Sequence, residues 1–269
     1  MPKILIYFIL TFCLTSFFQP TVYAQRVEIG INMGAANYVG DLAPSMVMSE
    51  TKFSGGLFGR YNISSSIAFT GSMNISRLAG SDQNVDMNKS RNLSFRSNIS
   101  EFSGVFEFNY FKYGLHVLDK TITSYVFLGI GVLNFNPQAF INNQWVDLQN
   151  IQTEGVSYNT ACVIVPFGMG FKWRLSKHIA VESSIGFRKT YSDRIDDVSS
   201  EYADFNEQIQ QKGMIAAYLT DRSAELNNGT PQFKAGYRRG NDDFNDWYMI
   251  ANVSLSCRIF SRLKCARFY

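Results

Sequence analysis

The side chains best suited to acid–base work near neutral pH are two histidines, His116 and His178, and a His-dependent hydrolase would build its site around one of them. Both fall in short connections between apolar runs, away from the long connections that could form a pocket, so ordinary solvation at a turn is the expectation. Asp196-Asp197 and Asp242-Asp243 are carboxylate pairs of the kind used for acid–base catalysis or Ca²⁺ ligation. Adjacent acids in extended chain point to opposite faces, and neither pair belongs to an EF-hand-like series of ligands. Capping, or ion pairing with Arg194, Arg238 or Arg239, is expected instead. Gly129-Ile-Gly131 and Gly168-Met-Gly170 lack the strand-to-helix context of a phosphate-binding loop and suit a tightly curved sheet. The cysteines, Cys13, Cys162, Cys257 and Cys265, have no zinc-site spacing. The inventory therefore predicts no catalytic residue, no metal ligand and no cofactor.

What remains is a chain built for burial. It has 269 residues, 46% apolar and 15% aromatic, with 17% charged, and a mean hydropathy of −0.09. This excludes a disordered tail, a collagen-like fibre and a coiled coil. A formal charge of +3 without clustered basic residues gives no footprint for nucleic acid. Residues 1–24 read as a signal peptide: Lys3 is the positive start, Ile4 to Phe18 the apolar core, and Val22-Tyr23-Ala24 the small-residue cleavage site. The mature chain is expected to comprise a barrel over 25–260 and a basic tail over 261–269.

From Val27 onward the chain alternates with a period of two. Val27, Ile29, Ile31 and Met33 oppose Glu28, Gly30, Asn32 and Gly34, the signature of a half-buried strand. Further runs cover about 53–63, 66–78, 95–110, 122–133, 161–175, 179–190 and 247–260. Phe58 and Ile250 break the pattern, and Tyr125 to Val132 is apolar throughout. The connections around 62–66, 113–120 and 176–178 are short, whereas those over 38–52, 79–94, 134–160 and 191–246 are longer. Short and long alternate, which gathers the long ones at one end of an up-and-down sheet, as in bacterial outer-membrane barrels. The last exceeds any hairpin loop; Ala203–Ala217 in it is helix-compatible, and Trp247 would place an aromatic where the chain re-enters the membrane.

A soluble eight-stranded barrel of the lipocalin kind also alternates, but its apolar face points inward. The polar faces here carry Glu28, Arg60, Glu101, Glu107, Lys172, Arg174, Glu182, Arg188 and Arg258. That set is sparse for a water-facing surface and nearly balanced, as a lumen with paired charges requires. The apolar faces carry Phe69, Phe102, Phe106, Phe108, Phe167, Phe171, Trp173 and Phe187, suited to lipid and interfacial contact. The fold class expected is all-β: an eight-stranded antiparallel transmembrane barrel with short periplasmic turns, four long extracellular loops and an interior filled by side chains.

The connecting segments carry a series of short motifs: Asn37-Tyr-Val-Gly-Asp-Leu42, Asn92-Leu-Ser-Phe-Arg-Ser97, Asn134-Phe-Asn-Pro137, Trp145-Val-Asp-Leu148, Thr153-Glu-Gly155 and Pro166-Phe-Gly168. Phe187-Arg-Lys-Thr190, Asp196-Asp-Val-Ser199, Asp221-Arg-Ser223, Arg239-Gly-Asn241 and Asp246-Trp-Tyr248 follow. In this order they resemble the PorG-type outer-membrane proteins of Bacteroidota. The resemblance implies a non-enzymatic part of the type IX protein secretion machine, linked to a periplasmic ring of the PorK lipoprotein and PorN, and surrounded by outer-membrane lipids. Lys112, Lys177 and His178, with Arg262, Lys264 and Arg267 of the tail, would form the periplasmic contact. The alternative is a stand-alone adhesin or narrow porin binding through its outer loops, for which Arg194, Asp196, Asp197, Arg238, Arg239, Asp242 and Trp247 are the candidates.

Overall fold

A computed structural model describes residues 26–85, 88–114 and 119–259. Cys13, His116, Cys265, the signal-peptide segment 1–24 and the tail 261–269 with Arg262, Lys264 and Arg267 lie outside the described residues. The strands are β1 (Val27–Val39), β2 (Lys52–Asn62), β3 (Ile67–Ser81), β4 (Ser94–Asn109), β5 (Ile122–Ile141), β6 (Gln144–Asp147), β7 (Ala161–Arg174), β8 (Ile179–Thr190) and β9 (Trp247–Arg258). Each long strand pairs antiparallel with its sequence neighbour, β4 pairs with β5, and β1 pairs with β9. The sheet thus closes into an eight-stranded barrel, which removes the free edges that an open sheet would expose.

The alternation sets the two surfaces. Ile29, Ile31 and Met33 of β1, Leu128 and Ile130 of β5, and Met169, Phe171 and Trp173 of β7 point outward and are exposed, while Glu28, Arg60, Glu101, Glu107, Lys172 and Glu182 are buried inside. An apolar belt this broad does not face water on a soluble protein. With charges inside and a girdle of Phe and Trp outside, the chain is a membrane-spanning barrel and not a soluble ligand-carrying one.

Four differences from the sequence reading follow from packing. The stretch 134–160 is not one loop: β5 continues to Ile141, turns through left-handed Asn142 and Asn143, and returns as β6. Asn134, Asn136 and Gln138 concealed this strand because it has left the apolar belt. β1 and β3 likewise run past the belt, to Val39 and Ser81. Phe58 and Ile250 face inward and are buried. The interior towards the long-loop end is apolar, built from Tyr38, Leu78, Phe95, Leu133, Ile164 and Ile250, onto which Ile195 and Val198 descend from the last loop. Tyr125 to Val132 alternates after all: Tyr125 is buried, and Val126, Leu128, Ile130 and Val132 are exposed.

At one end the connections are 63–66, 110–121 and 175–178. At the other they are 40–51, 82–93, 142–160 and 191–246. The last holds two helices, α2 (Phe205–Lys212) and α3 (Met214–Thr220). Asp204 caps α2 by accepting from the Asn206 and Glu207 amides. Leu219 of α3 packs against Ala139 of β5 and Leu148 of a short helix α1 (Leu148–Ile151), so the long loop is a folded cap.

Candidate functional site in the lumen and its cap

Inside the short-turn half of the barrel, side chains of β1, β4 and β8 meet on Arg60 of β2. Its guanidinium donates to Glu28 at 3.0 Å and to both oxygens of Glu182 at 2.5 and 2.7 Å, and stands 3.0 Å from Glu107. Lys172 donates to Glu107, and to Asn109 at 3.1 Å. Arg258 donates to Glu28 at 2.7 Å. Three cations and three carboxylates thus neutralise one another in a space where an unpaired charge would be costly. Higher up, Arg188 donates to Glu101 at 3.1 Å, and the Tyr248 hydroxyl donates to the same carboxylate at 2.7 Å.

Beneath this network Tyr113 and Gly114, which follow β4, form a floor under the barrel. Tyr113 is buried, and the Gly114 carbonyl accepts from Arg258 and from Arg174 at 3.3 Å. Gly114 has a φ of +79°, and a Cβ there would lie 2.7 Å from the Arg258 guanidinium; glycine meets both demands. Arg174 corrects the expected lumen set. It pairs with no lumen carboxylate and instead donates to the Gly114 and Asp119 carbonyls at the rim. Lys112, Lys177 and His178 are exposed at this end.

At the other end, motifs far apart in sequence converge. Glu154 accepts at one oxygen from the Ser199 amide (2.9 Å) and Arg239 (3.0 Å), and at the other from Arg194 (2.6 Å) and Ser200 Oγ (2.8 Å). Burial pushes its carboxyl upward, but Arg239, the Ser199 amide and Arg194 bring it below the ordinary value. Asp197 sits at a φ of +65°, a conformation that Asp tolerates better than most residues. It accepts from Thr153 Oγ1 at 2.5 Å and the Tyr158 hydroxyl at 2.6 Å, and lies 3.8 Å from Arg239. Arg91 donates to Asp82 at 2.7 Å and to the Arg239 carbonyl, so the β3–β4 connection joins the same knot.

Asp196 departs from the expected ion pair. Tyr38 Oη lies 2.7 Å from Asp196 and 2.5 Å from Asp246. A phenol has one proton to donate, so one of the two acids must hold a proton and donate to the phenol oxygen. Burial and nearby carboxylates, Asp41 for Asp196 and Asp196 for Asp246, push both acids well above the ordinary range. Asp193 beside them is pushed up to about 7, chiefly by burial. Of the other acidic pair, Asp243 stands 3.6 Å from Arg238 with both side chains exposed, and Asp242 is exposed. Trp247 opens β9, with its ring centroid 6.1 Å from that of Phe167 in an edge-on contact.

Glu154, Thr153, Tyr38 and Asp246 were not singled out by type or spacing, because an isolated acid or phenol in a loop carries no periodic signal. Their membership in the ordered motifs was the available pointer. Among the described residues no group of three or more His, Cys, Asp or Glu could hold a metal ion. The arrangement is a dense set of cross-linked contacts, in which Arg239 Nε and Asp193 Oδ2 are buried without a hydrogen-bond partner.

A family model described as "Domain of unknown function (DUF6089)" matches residues 3–216. A comparison with curated proteins gives no match. Among solved structures, Neisserial surface protein A is 6% identical at a TM-score of 0.45, covering 87% of this chain and 97% of that one. Ail, the attachment invasion locus protein of Yersinia pestis, crystallised with the heparin analogue sucrose octasulfate, is 10% identical at 0.42, covering 87% and 99%. OprG of Pseudomonas aeruginosa is 8% identical at 0.39, covering 88% and 98%.

Proposed function

The chain belongs to the DUF6089 family of domains of unknown function, and we propose that it is a non-enzymatic, non-conducting barrel of the bacterial outer membrane that works through the surfaces at its two ends. The observation that carries this reading is the filling of the interior. Arg60 and its carboxylate partners block the lumen, Tyr113 and Gly114 floor it, and the segment around Ile195 and Val198 closes the mouth. Such a body anchors and presents; it does not conduct.

In this reading a signal peptide over 1–24 directs export, the short turns face the periplasm and the cap faces outward. The ordered motifs favour a place in the type IX secretion machine. There Lys112, Lys177, His178 and the tail residues Arg262, Lys264 and Arg267 meet a periplasmic ring of PorK and PorN type. The test is to crosslink intact cells, extract a tagged copy gently and identify co-purifying proteins by mass spectrometry. Recovery of a ring lipoprotein and its partner is expected. Recovery of the barrel alone, with secretion intact in the deletion mutant, would overturn the secretion role and leave the fold standing.

The second reading, a stand-alone surface barrel, is favoured by the cap. Met48, Met214, Tyr237 and Phe244 are exposed there on a framework the Glu154 network holds still. It predicts that replacing these four by Ser abolishes surface binding without affecting protein export.

A further inference from the structure

On the outer wall of β2, β3 and β4 lies a groove of about 560 Å³ lined by Phe53, Ile75, Arg77, Asn98 and Ser100. It crosses the upper edge of the apolar belt. Below it on the same face are Leu57, Met73 and Phe102, all exposed; Arg77 and Asn98 form its upper rim, and Arg96 is the next outward position of β4 above them. Register places Arg77 opposite Asn98, and Arg96 opposite Ala79, one step further along the same face. The two residues are therefore diagonal neighbours. Each bonds an amide and not a carboxylate: Arg77 donates to Asn98 at 2.9 Å, and Arg96 to Gln138 at 2.9 Å. The nearby acids are engaged elsewhere, Asp147 by Asn136 and Gln138, and Glu50 by Lys52 and Asn84. Arg96 also stacks 3.6 Å from the Trp145 ring centroid, and Trp is the residue that membranes place at headgroup depth.

We propose that this groove is a docking site for a phosphorylated membrane lipid in the leaflet at the long-loop end. Two arginines on diagonal positions of one outward face supply the charge and the donors that a phosphate takes up. Phe53 and Ile75 continue directly into the apolar belt, where an acyl chain of the same molecule lies. The phosphate bridges Arg77 and Arg96, and Trp145 shields the pair from water. The inference rests on the membrane-spanning reading and is independent of any role in secretion.

The test uses the mature chain refolded in neutral detergent and native mass spectrometry with lipid A, its dephosphorylated form and diacylglycerol, the last two carrying no phosphate. Adducts are expected to survive with lipid A, and to fall about tenfold or more for the other two. Arg77→Gln/Arg96→Gln should lose the lipid A adduct by a similar factor while keeping its heat-modifiable gel mobility. Lys189→Gln removes another exposed cation at the long-loop end of β8, between Tyr191 and Trp247, and should change nothing. Equal retention of lipid A and its dephosphorylated form would overturn the proposal on the wild-type chain alone. So would equal loss in K189Q, which would mean diffuse attraction to rim charge, or displacement of lipid A by equimolar inorganic phosphate.

Discussion

The lower lumen and the mouth of the barrel are both buried and both rich in ionisable groups, yet they solve the same electrostatic problem differently. In the lumen, Arg60, Lys172 and Arg258 balance Glu28, Glu107 and Glu182 one for one. At the mouth the carboxylates outnumber their partners. Glu154 and Asp197 take up Arg239 and Arg194, while Asp193, Asp196 and Asp246 have no cation in hydrogen-bonding contact and rely on protons. One region is neutralised by design of its side chains, and the other by its titration state. The mouth should therefore respond to pH across the neutral range.

The strongest way to break the comparison is to unbalance the lumen. Arg60→Met leaves three buried carboxylates without their shared partner, and removal of one member of a buried ion network costs about 3–5 kcal/mol. Loss of heat-modifiable mobility at a much lower temperature than wild type is expected. A midpoint within a degree or two of wild type would show that water reaches the network and solvates it.

Next in size is Glu154→Gln, which removes one charge from the paired part of the mouth. Its charged hydrogen bonds, worth about 1.5–3 kcal/mol each and not additive, join the β6–β7 connection to both arms of the cap. The barrel should remain resistant to protease while cleavage appears within 191–246. Simultaneous loss of barrel and cap would mean that the two regions fold as one unit.

The proton-dependent part of the mouth gives a third, smaller effect. Asp193, Asp196 and Asp246 have folded-state values raised above their unfolded ones, so the native state holds protons that the unfolded chain releases. Their contribution is complete below about pH 4 and declines as pH rises through about 7, where Asp193 titrates, and beyond. The urea midpoint read from tryptophan fluorescence should be lower at about pH 9 than at about pH 5. Asp246→Asn supplies a permanent donor to the Tyr38 oxygen and keeps an acceptor for the Ile195 amide. It should flatten that dependence, and an unchanged slope would place the shared proton elsewhere.

The two regions also differ in how far they could be read from sequence. Glu28, Glu107, Lys172 and Glu182 announce themselves because a strand repeats every two residues, and a charge opposite an apolar face has to point inward. Phe58 and Ile250 looked misplaced only because the interior changes from ionic to apolar along the barrel axis, a property of height that periodicity does not encode. The continuation of β5 through Asn134, Asn136 and Gln138 was hidden for a related reason: once a strand leaves the membrane its outward face turns polar. At the mouth, Asp196 and Asp197 could be seen as a pair, but their opposite fates were not legible. Asp197 meets Arg239 and two hydroxyls, whereas Asp196 meets Tyr38 and another acid. Those partners come from β1, the 142–160 connection and the far end of the 191–246 connection, and only the closed barrel fixes which of them touch.

The smallest expected effect concerns Asp243, which shares a loop with the mouth network but lies outside it. Its side chain is 76% exposed and its contact with Arg238 is 3.6 Å, a distance at which an exposed pair in water contributes little. Asp243→Asn should change the urea midpoint by the equivalent of less than about 0.5 kcal/mol and leave the pH slope untouched. That null sharpens the comparison, because it separates acids that matter by being buried from acids that merely sit in an acidic loop. A shift in the pH slope on losing Asp243 would mean that the mouth senses its surroundings through long-range charge, and the distinction between paired and protonated regions would have to be redrawn around the whole cap.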